Sequence, residues 1–290
     1  MTGGVLRPTS DVSRGQWVID ELGPWATFAG IVPPRFAAYA RIFHPAGGQA
    51  LSFDTGTARW SDPVRLRWSE VAAREGTVMH PLAQWDYLVG DYVRPLGDRA
   101  GFQYDEPALG ALDVDSLAAV AAVLAAHTST PDDCLAALWE GHGEVWGGVA
   151  TVAFVAVGEI ASDVAAPVEP EPVVPPFLDA AAGARLHLPE RDSLLFELDV
   201  RTLAEPGWGE RSGWTSRSRT LTPQCLWPED RAWFLASEID FDSTLVGGSE
   251  ELIADLIALD GTGAIEILRL PAGVDLSSTG DLVNPPPSRS

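Results

Sequence analysis

The sequence predicts an α+β fold in which helices pack on a mixed, mostly antiparallel sheet of roughly five strands. Short apolar runs of strand length support the sheet, and separate segments with helical spacing and capping residues support the helices. Hydrophobic residues make up 46% of the chain and charged residues 21%, as is typical of a globular protein with a substantial core. The longest uninterrupted apolar run, residues 117–126, is too short to span a bilayer.

The predicted strands are apolar runs bounded by turn residues. The run at residues 231–239 is assigned to a strand because of Trp233, Phe234 and Ile239, since aromatic and β-branched side chains favour strands. The complete set of predicted strands comprises residues 35–43, 149–157, 193–200, 231–239 and 263–270.

The predicted helices carry N-capping residues or end at a glycine. The helix predicted at residues 130–140 begins at Thr130, an N-cap residue, with Pro131 at the first helical position. The last begins at Ser249, and Gly247 with Gly248 before it predicts a sharp change of chain direction. The helices are predicted at residues 68–74, 115–127, 130–140 and 249–259.

We interpret residues 1–290 as one domain that carries a proline-rich, acidic loop at residues 161–176. The alternative is two lobes, residues 1–160 and 177–290, each long enough for a small domain. Eleven tryptophans spread along the chain favour one large aromatic core. Residues 1–15 and the Pro/Ser-rich residues 275–290 are predicted to be loose tails.

The charge balance limits the classes of partner and of reaction. With 41 acidic and 19 basic residues, the net charge of −22 repels phosphates and anionic lipids, so neither a nucleic acid nor a membrane is expected as a partner. Every basic residue is an arginine, and the absence of lysine excludes a Walker A phosphate loop, Schiff-base chemistry and pyridoxal-phosphate chemistry. The absence of a signal-peptide pattern and of paired cysteine motifs predicts a cytoplasmic location.

One locally basic segment, residues 205–228, combines tryptophan with arginine. Both residue types are frequent at binding hot spots. We therefore predict a non-catalytic binding or interaction protein without a cofactor, in which Trp208, Arg211, Trp214 and Arg217 contact a protein or small molecule whose identity the sequence leaves open. The alternative is a loop that packs its tryptophans onto the sheet and exposes its arginines.

A second functional hypothesis starts from residues 240–244, DFDST. This segment resembles the first motif of the haloacid-dehalogenase-type phosphatases, Asp-x-Asp-x-Thr after an apolar strand. The resemblance implies a metal-assisted phosphatase or related hydrolase in which Asp240 is the nucleophile or a metal ligand and Asp242 the acid/base, beside Mg²⁺. Arg231 would then hold the phosphate. The alternative is a turn in which both carboxylates accept hydrogen bonds from nearby backbone N–H groups.

Three longer segments, CLAALWEGHG, LPERDSLLFELDV and LWPEDRAWFLASEIDFDSTLVGGSEEL, resemble an uncharacterised family of proteins from high-GC actinobacteria. The resemblance extends over the middle and the C-terminal part of the chain. It implies a cytoplasmic protein of unknown function, and no catalytic residue carries over from it.

The sequence allows two roles each for His44 and for His142. His44 follows a predicted strand and is either a ligand or a surface or turn residue. Cys134 and His142 form a possible nucleophile and base, but acidic residues precede Cys134 in its predicted helix and are expected to raise the pKa of the thiol.

Overall fold

The computed structural model describes residues 6–24, 27–54, 57–90, 102–146, 175–215, 219–277 and 279–287. The predicted strand at residues 149–157 lies outside these ranges. So do Arg217, the first five residues and residues 161–174 of the proline-rich stretch.

Helices and antiparallel strands in these ranges confirm the predicted α+β class. The strands are β1 (Leu6–Pro8), β2 (Ala38–Phe43), β3 (Ala46–Asp54), β4 (Thr57–Trp60), β5 (Val64–Leu66), β6 (Phe102–Asp105), β7 (Cys134–Trp139), β8 (Leu186–Leu188), β9 (Arg191–Leu198), β10 (Cys225–Pro228), β11 (Phe234–Ser237), β12 (Ser243–Gly248) and β13 (Glu266–Leu270). The α-helices are α1 (Gln16–Glu21), α2 (Phe28–Ile31), α3 (Trp68–Glu75), α4 (Trp85–Val89), α5 (Val114–Ala126), α6 (Pro175–Ala182), α7 (Trp208–Ser212) and α8 (Glu250–Ile257). Short 3-10 helices span Val12–Gly15, Gly143–Trp146 and Val200–Ala204.

The strands form two antiparallel sheets. The larger has the order β1-β9-β7-β10-β11-β12-β2-β13, with β8 also paired to β9, and in the smaller β4, β5 and β6 pair with β3. Strand β7 lies between β9 and β10, and β2 lies between β12 and β13. One sheet therefore combines strands from both segments that the two-lobe alternative separates.

Each face of the larger sheet is covered by helices, and β7 shows this most clearly. Its side chains alternate: Cys134, Ala136 and Leu138 pack with α5 and α8, while Leu135 and Ala137 pack on the other face with α1 and α2. A strand covered on both faces is apolar at successive positions instead of at every second one.

This double burial explains why the prediction of a helix over residues 130–140 is wrong. The backbone N–H of Asp133 donates to the carbonyl of Thr130 at 3.1 Å, which forms one turn, and the chain then extends into β7. An apolar run without polar alternation does not distinguish a central strand from a buried helix.

The sharp turn predicted at Gly247 and Gly248 is also wrong, because both glycines lie inside β12. Gly247 is opposite Phe234 on one side and Tyr39 on the other. A Cβ atom on Gly247 would lie 2.5 Å from the Phe36 ring and 2.9 Å from the Tyr39 ring, so the close approach of these rings requires glycine. The helix start after it is confirmed, since the side chain of Ser249 accepts a hydrogen bond from the N–H of Leu252 at 3.1 Å.

Residues 279–287 form an ordered segment, contrary to the prediction of a loose C-terminal tail. The side chain of Asn284 accepts from the N–H of Val78 at 2.8 Å and donates to its carbonyl at 2.9 Å. Asp281 lies 2.9 Å from Nε2 of His80. Asp281 and Asn284 are buried, and these polar contacts, which hydropathy does not reveal, hold the segment against the loop before α4.

Candidate functional site

The DFDST segment contains the last part of the turn between β11 and β12 and the first two residues of β12. The N–H of Phe241 donates to the carbonyl of Glu238 at 3.0 Å, and the N–H of Asp240 donates to the Glu238 carboxylate at 2.7 Å. The chain therefore reverses direction here through one hydrogen bond within the backbone and one from the backbone to the carboxylate of Glu238. The strands on either side of this turn, β11 and β12, pair with each other in antiparallel orientation.

Asp242 is held by Arg41 beneath this turn. The two side chains lie 3.3 Å apart, and Arg41 is 2% exposed. Arg41 also donates to Oγ of Ser243 at 2.8 Å and to the carbonyl of Ala83 at 2.9 Å. Burial raises the pKa of Asp242, and the charge of Arg41 opposes that rise. Asp242 is thus the half-buried partner of the buried Arg41 in a structural ion pair.

Asp240 and Arg231, the other two residues of the phosphatase hypothesis, lie in different places. The side chain of Asp240 is 72% exposed and lies 3.4 Å from Arg191. Arg231 precedes β11, whereas Asp240 follows it, and the guanidinium of Arg231 lies 5.4 Å from the centre of the Trp17 ring. Among the described residues, no group of three His, Cys, Asp or Glu side chains is placed to hold a metal ion.

The predicted contact residues Trp208 and Trp214 are in the core, each 1% exposed. The Trp214 ring packs 4.8 Å from Phe196 and 5.6 Å from Phe177, measured between ring centres. Of the two arginines, Arg211 is on the surface, where it lies 2.8 Å from Glu205, and Arg217 is outside the described residues. The two tryptophans therefore present no ring on the surface, as the alternative interpretation of this segment expects.

His44 is buried in a hydrogen-bonded chain of side chains, instead of lying in a surface turn. Its Nδ1 lies 2.6 Å from the carbonyl of Ala108, and its Nε2 lies 2.8 Å from Oγ1 of Thr244, which is 2.6 Å from Oγ of Ser237. Burial lowers the pKa of His44 to about 4, so the ring is neutral at pH 7. The carbonyl only accepts, so Nδ1 donates and Nε2 accepts the proton of Thr244. This chain fixes β11 to β12 and to the end of β2.

The two cysteines are free thiols, and both are buried. Burial raises the pKa of each thiol to about 12, so both are protonated at pH 7. Cys134 is fully buried on β7, while His142 packs against Trp139 and lies 3.4 Å from Arg219. The raised pKa predicted for Cys134 is confirmed, although the residue lies in a strand and not in a helix. Burial is the largest cause, and the charge of the preceding Asp133 adds to the rise.

A cleft of about 260 Å³ opens beside the β11–β12 turn, and we call it the β11–β12 cleft. Its lining is mostly apolar and comes from segments far apart in the sequence. The apolar and thiol side chains that form its walls include Leu22, Ile31, Leu188, Cys225, Ala236 and Leu276. A concave, largely apolar surface with a few polar groups is typical of small-molecule sites.

The charged side chains that line the β11–β12 cleft, Arg191, Glu238 and Asp240, lie together, and we call this part of the lining its polar side. Arg191 lies 3.2 Å from Glu238 and 3.4 Å from Asp240, and it donates to the carbonyl of Glu190 at 3.0 Å. Its guanidinium carbon lies 6.0 Å from the centre of the Trp139 ring, which also lines the cleft. Sequence reasoning missed Arg191, Trp139 and Glu238, because no local motif connects residues on β7, on β9 and after β11.

A second cavity, of about 460 Å³, lies on the other side of the turn, and we call it the acidic cavity. Asp240 borders both cavities. The other carboxylates at the acidic cavity belong to Asp86, Glu106 and Asp242. The DFDST segment thus separates an apolar cleft from an acidic cavity.

No family model matches the chain, and no curated protein or solved structure matches it. Membership of the uncharacterised actinobacterial family therefore stays a prediction. In the described part of the chain, no helix has the length and apolar character needed to cross a membrane.

Proposed function

We propose that this protein binds a small, largely apolar molecule non-catalytically in the β11–β12 cleft. The observation that carries the proposal is the cleft itself: about 260 Å³, with mostly apolar walls and charged groups confined to one side. Apolar molecules enter such sites because both surfaces leave water, and the few polar groups set the orientation. This function retains the binding role expected from the sequence but moves it away from the tryptophans of residues 205–228.

The side chains that line the cleft favour binding over catalysis. Its thiol, Cys225, has a pKa raised to about 12 by burial, which leaves very little thiolate at neutral pH. Arg191, Glu238 and Asp240 are engaged with one another, and no histidine is among the described lining residues to serve as a base. The phosphatase alternative has less support, because Asp242 is held by Arg41 and Arg231 lies at the opposite end of β11.

The proposal also includes a cytoplasmic location and excludes nucleic acid as the ligand. Two free, buried cysteines suit a reducing compartment, and the net charge of −22 opposes phosphate-rich partners.

A fragment screen by NMR tests the proposal. We expect apolar fragments to shift the indole N–H resonance of Trp139, which lines the cleft and is identified by its loss in Trp139→Phe. Trp60, which is half-exposed on β4, is the control for unspecific contact with a surface ring. The proposal is contradicted if no fragment binds, or if fragments shift the indole resonance of Trp60 but not that of Trp139. Chemical conversion of a bound fragment would also contradict it.

A further inference from the structure

We infer that the ligand of the β11–β12 cleft is an apolar molecule that carries a protonated amine, and that the amine binds beside Asp240 and Glu238. This inference rests on the proposed function and specifies the class of ligand. It starts from the charges at the cleft, where one arginine faces two carboxylates. Among the described lining residues these are the only charged side chains, so the polar side has a formal charge of −1.

The hydrogen bonds of Arg191 show why this side does not suit an anionic ligand. One terminal nitrogen donates to the carbonyl of Glu190, and the other lies within 3.4 Å of both Glu238 and Asp240. Its Nε has no hydrogen-bond partner among the described residues, but it is buried and out of reach of solvent. A ligand carboxylate that approached Arg191 would lie beside both of these carboxylates. Like charges at such separation repel each other.

Asp240, by contrast, has capacity for another donor. Its side chain is 72% exposed, and its contact with Arg191 is long, at 3.4 Å. An ionised carboxylate offers about four acceptor positions. Both oxygens of Glu238 already have a partner, since one lies next to Arg191 and the other accepts a hydrogen bond from the N–H of Asp240. An ammonium group at the open side of Asp240 brings the local charge from −1 to zero.

The rest of the cleft and of the molecule fits the same ligand. Leu188, Ile31 and Leu276 provide an apolar wall for a hydrocarbon or aromatic body, and Phe241 supplies a half-buried ring next to Asp240. Aromatic rings attract cations in addition to burying apolar surface. The net charge of −22 raises the local concentration of cations at the surface and lowers that of anions.

Three probes with one apolar body and different ends test this inference: 4-phenylbutylamine, 4-phenylbutanol and 4-phenylbutyrate. Their dissociation constants are measured by calorimetry at pH 7 and low salt, with the Trp139 indole resonance as the control for location. We expect the amine to bind about fivefold more tightly than the alcohol, which corresponds to a solvent-exposed ion pair. The butyrate is expected to bind most weakly, and salt is expected to reduce the preference for the amine.

Two variants separate the contribution of the cleft from that of the overall charge. Asp240→Asn removes the carboxylate from an exposed side chain, so the fold is retained and the amine and the alcohol should bind with equal affinity. Asp62→Asn makes the same change of charge in the exposed turn between β4 and β5, and it should preserve the fivefold preference.

The outcomes distinguish the inference from the proposed function. If the alcohol or the butyrate binds as tightly as the amine and shifts Trp139, the inference is overturned while the cleft remains a binding site. If Asp240→Asn keeps the preference, or Asp62→Asn abolishes it, the position assigned to the amine is wrong. If none of the three probes shifts the indole resonance of Trp139, both the inference and the proposed function fail for small molecules with an apolar body of this kind.

Discussion

At the scale of single residues, the neutral His44 makes the stability of the protein depend on pH. Burial lowers the pKa of His44 to about 4 in the folded state, whereas an unfolded histidine has a pKa near 6.5. Between these values the unfolded chain binds a proton that the folded chain does not. The contribution of His44 to the free energy of unfolding should therefore be complete above pH 6.5 and fall by about 1.4 kcal/mol per pH unit as the pH is lowered toward 4.

Urea unfolding of the protein and of His44→Gln between pH 4 and 7.5 measures this effect. The variant should be less stable at pH 7. The pH dependence of its free energy of unfolding should be smaller by about 1.4 kcal/mol per pH unit, because an amide does not titrate. His187→Gln, at an exposed histidine, is the matched control and should keep the slope of the unaltered protein. Equal slopes for all three proteins would show that His44 titrates alike in the folded and unfolded states.

The two aspartates of the DFDST segment should differ in their effect on stability. Asp242→Ala leaves the buried Arg41 without its carboxylate, and we expect the free energy of unfolding to fall by about 3 kcal/mol. Asp240→Ala changes an exposed side chain and should cost less than about 0.5 kcal/mol. Urea denaturation measures both values. Similar small losses, accompanied by loss of phosphatase turnover in both variants, would instead favour the catalytic interpretation of the motif.

At the scale of secondary-structure elements, aromatic rings that pack closely against the end of β12 explain the glycine at position 247. We expect Gly247→Ala to lower the free energy of unfolding by about 1–3 kcal/mol, since the new methyl group overlaps with the Phe36 and Tyr39 rings. Gly183→Ala is the control, because an added methyl group there makes contacts no closer than 3.4 Å. Thermal or urea unfolding of both variants measures the difference. A neutral Gly247→Ala would mean that the rings move aside freely.

Individual helices and strands also show which parts of the fold can be predicted from the sequence. A local signal marks several helix boundaries: Asp113 caps α5, Gly76 ends α3, and Ser249 caps α8 as predicted. β7 was not predictable, because its assignment depends on strands β9 and β10, which come later in the chain. The β11–β12 cleft escaped prediction for the same reason, since Trp139, Arg191 and Glu238 meet only when the sheet has formed.

At the scale of the whole molecule, the order of strands in the larger sheet argues for a single folding unit. Both neighbours of β7 and both neighbours of β2 come from the part of the chain after residue 176. A fragment that ends before this part would have exposed, unpaired strand edges and uncovered apolar faces. Such a fragment lacks most of the contacts that offset its conformational entropy.

We therefore expect residues 1–160 and residues 161–290, produced separately, to lack cooperative unfolding transitions, and their co-expression to restore a complex with one transition. Circular dichroism and urea denaturation of each fragment and of the pair provide the measurement. The full-length chain sets the reference for cooperativity. A sharp, independent transition in either fragment alone would support two lobes, because a lobe with its own core folds without strands from its neighbour.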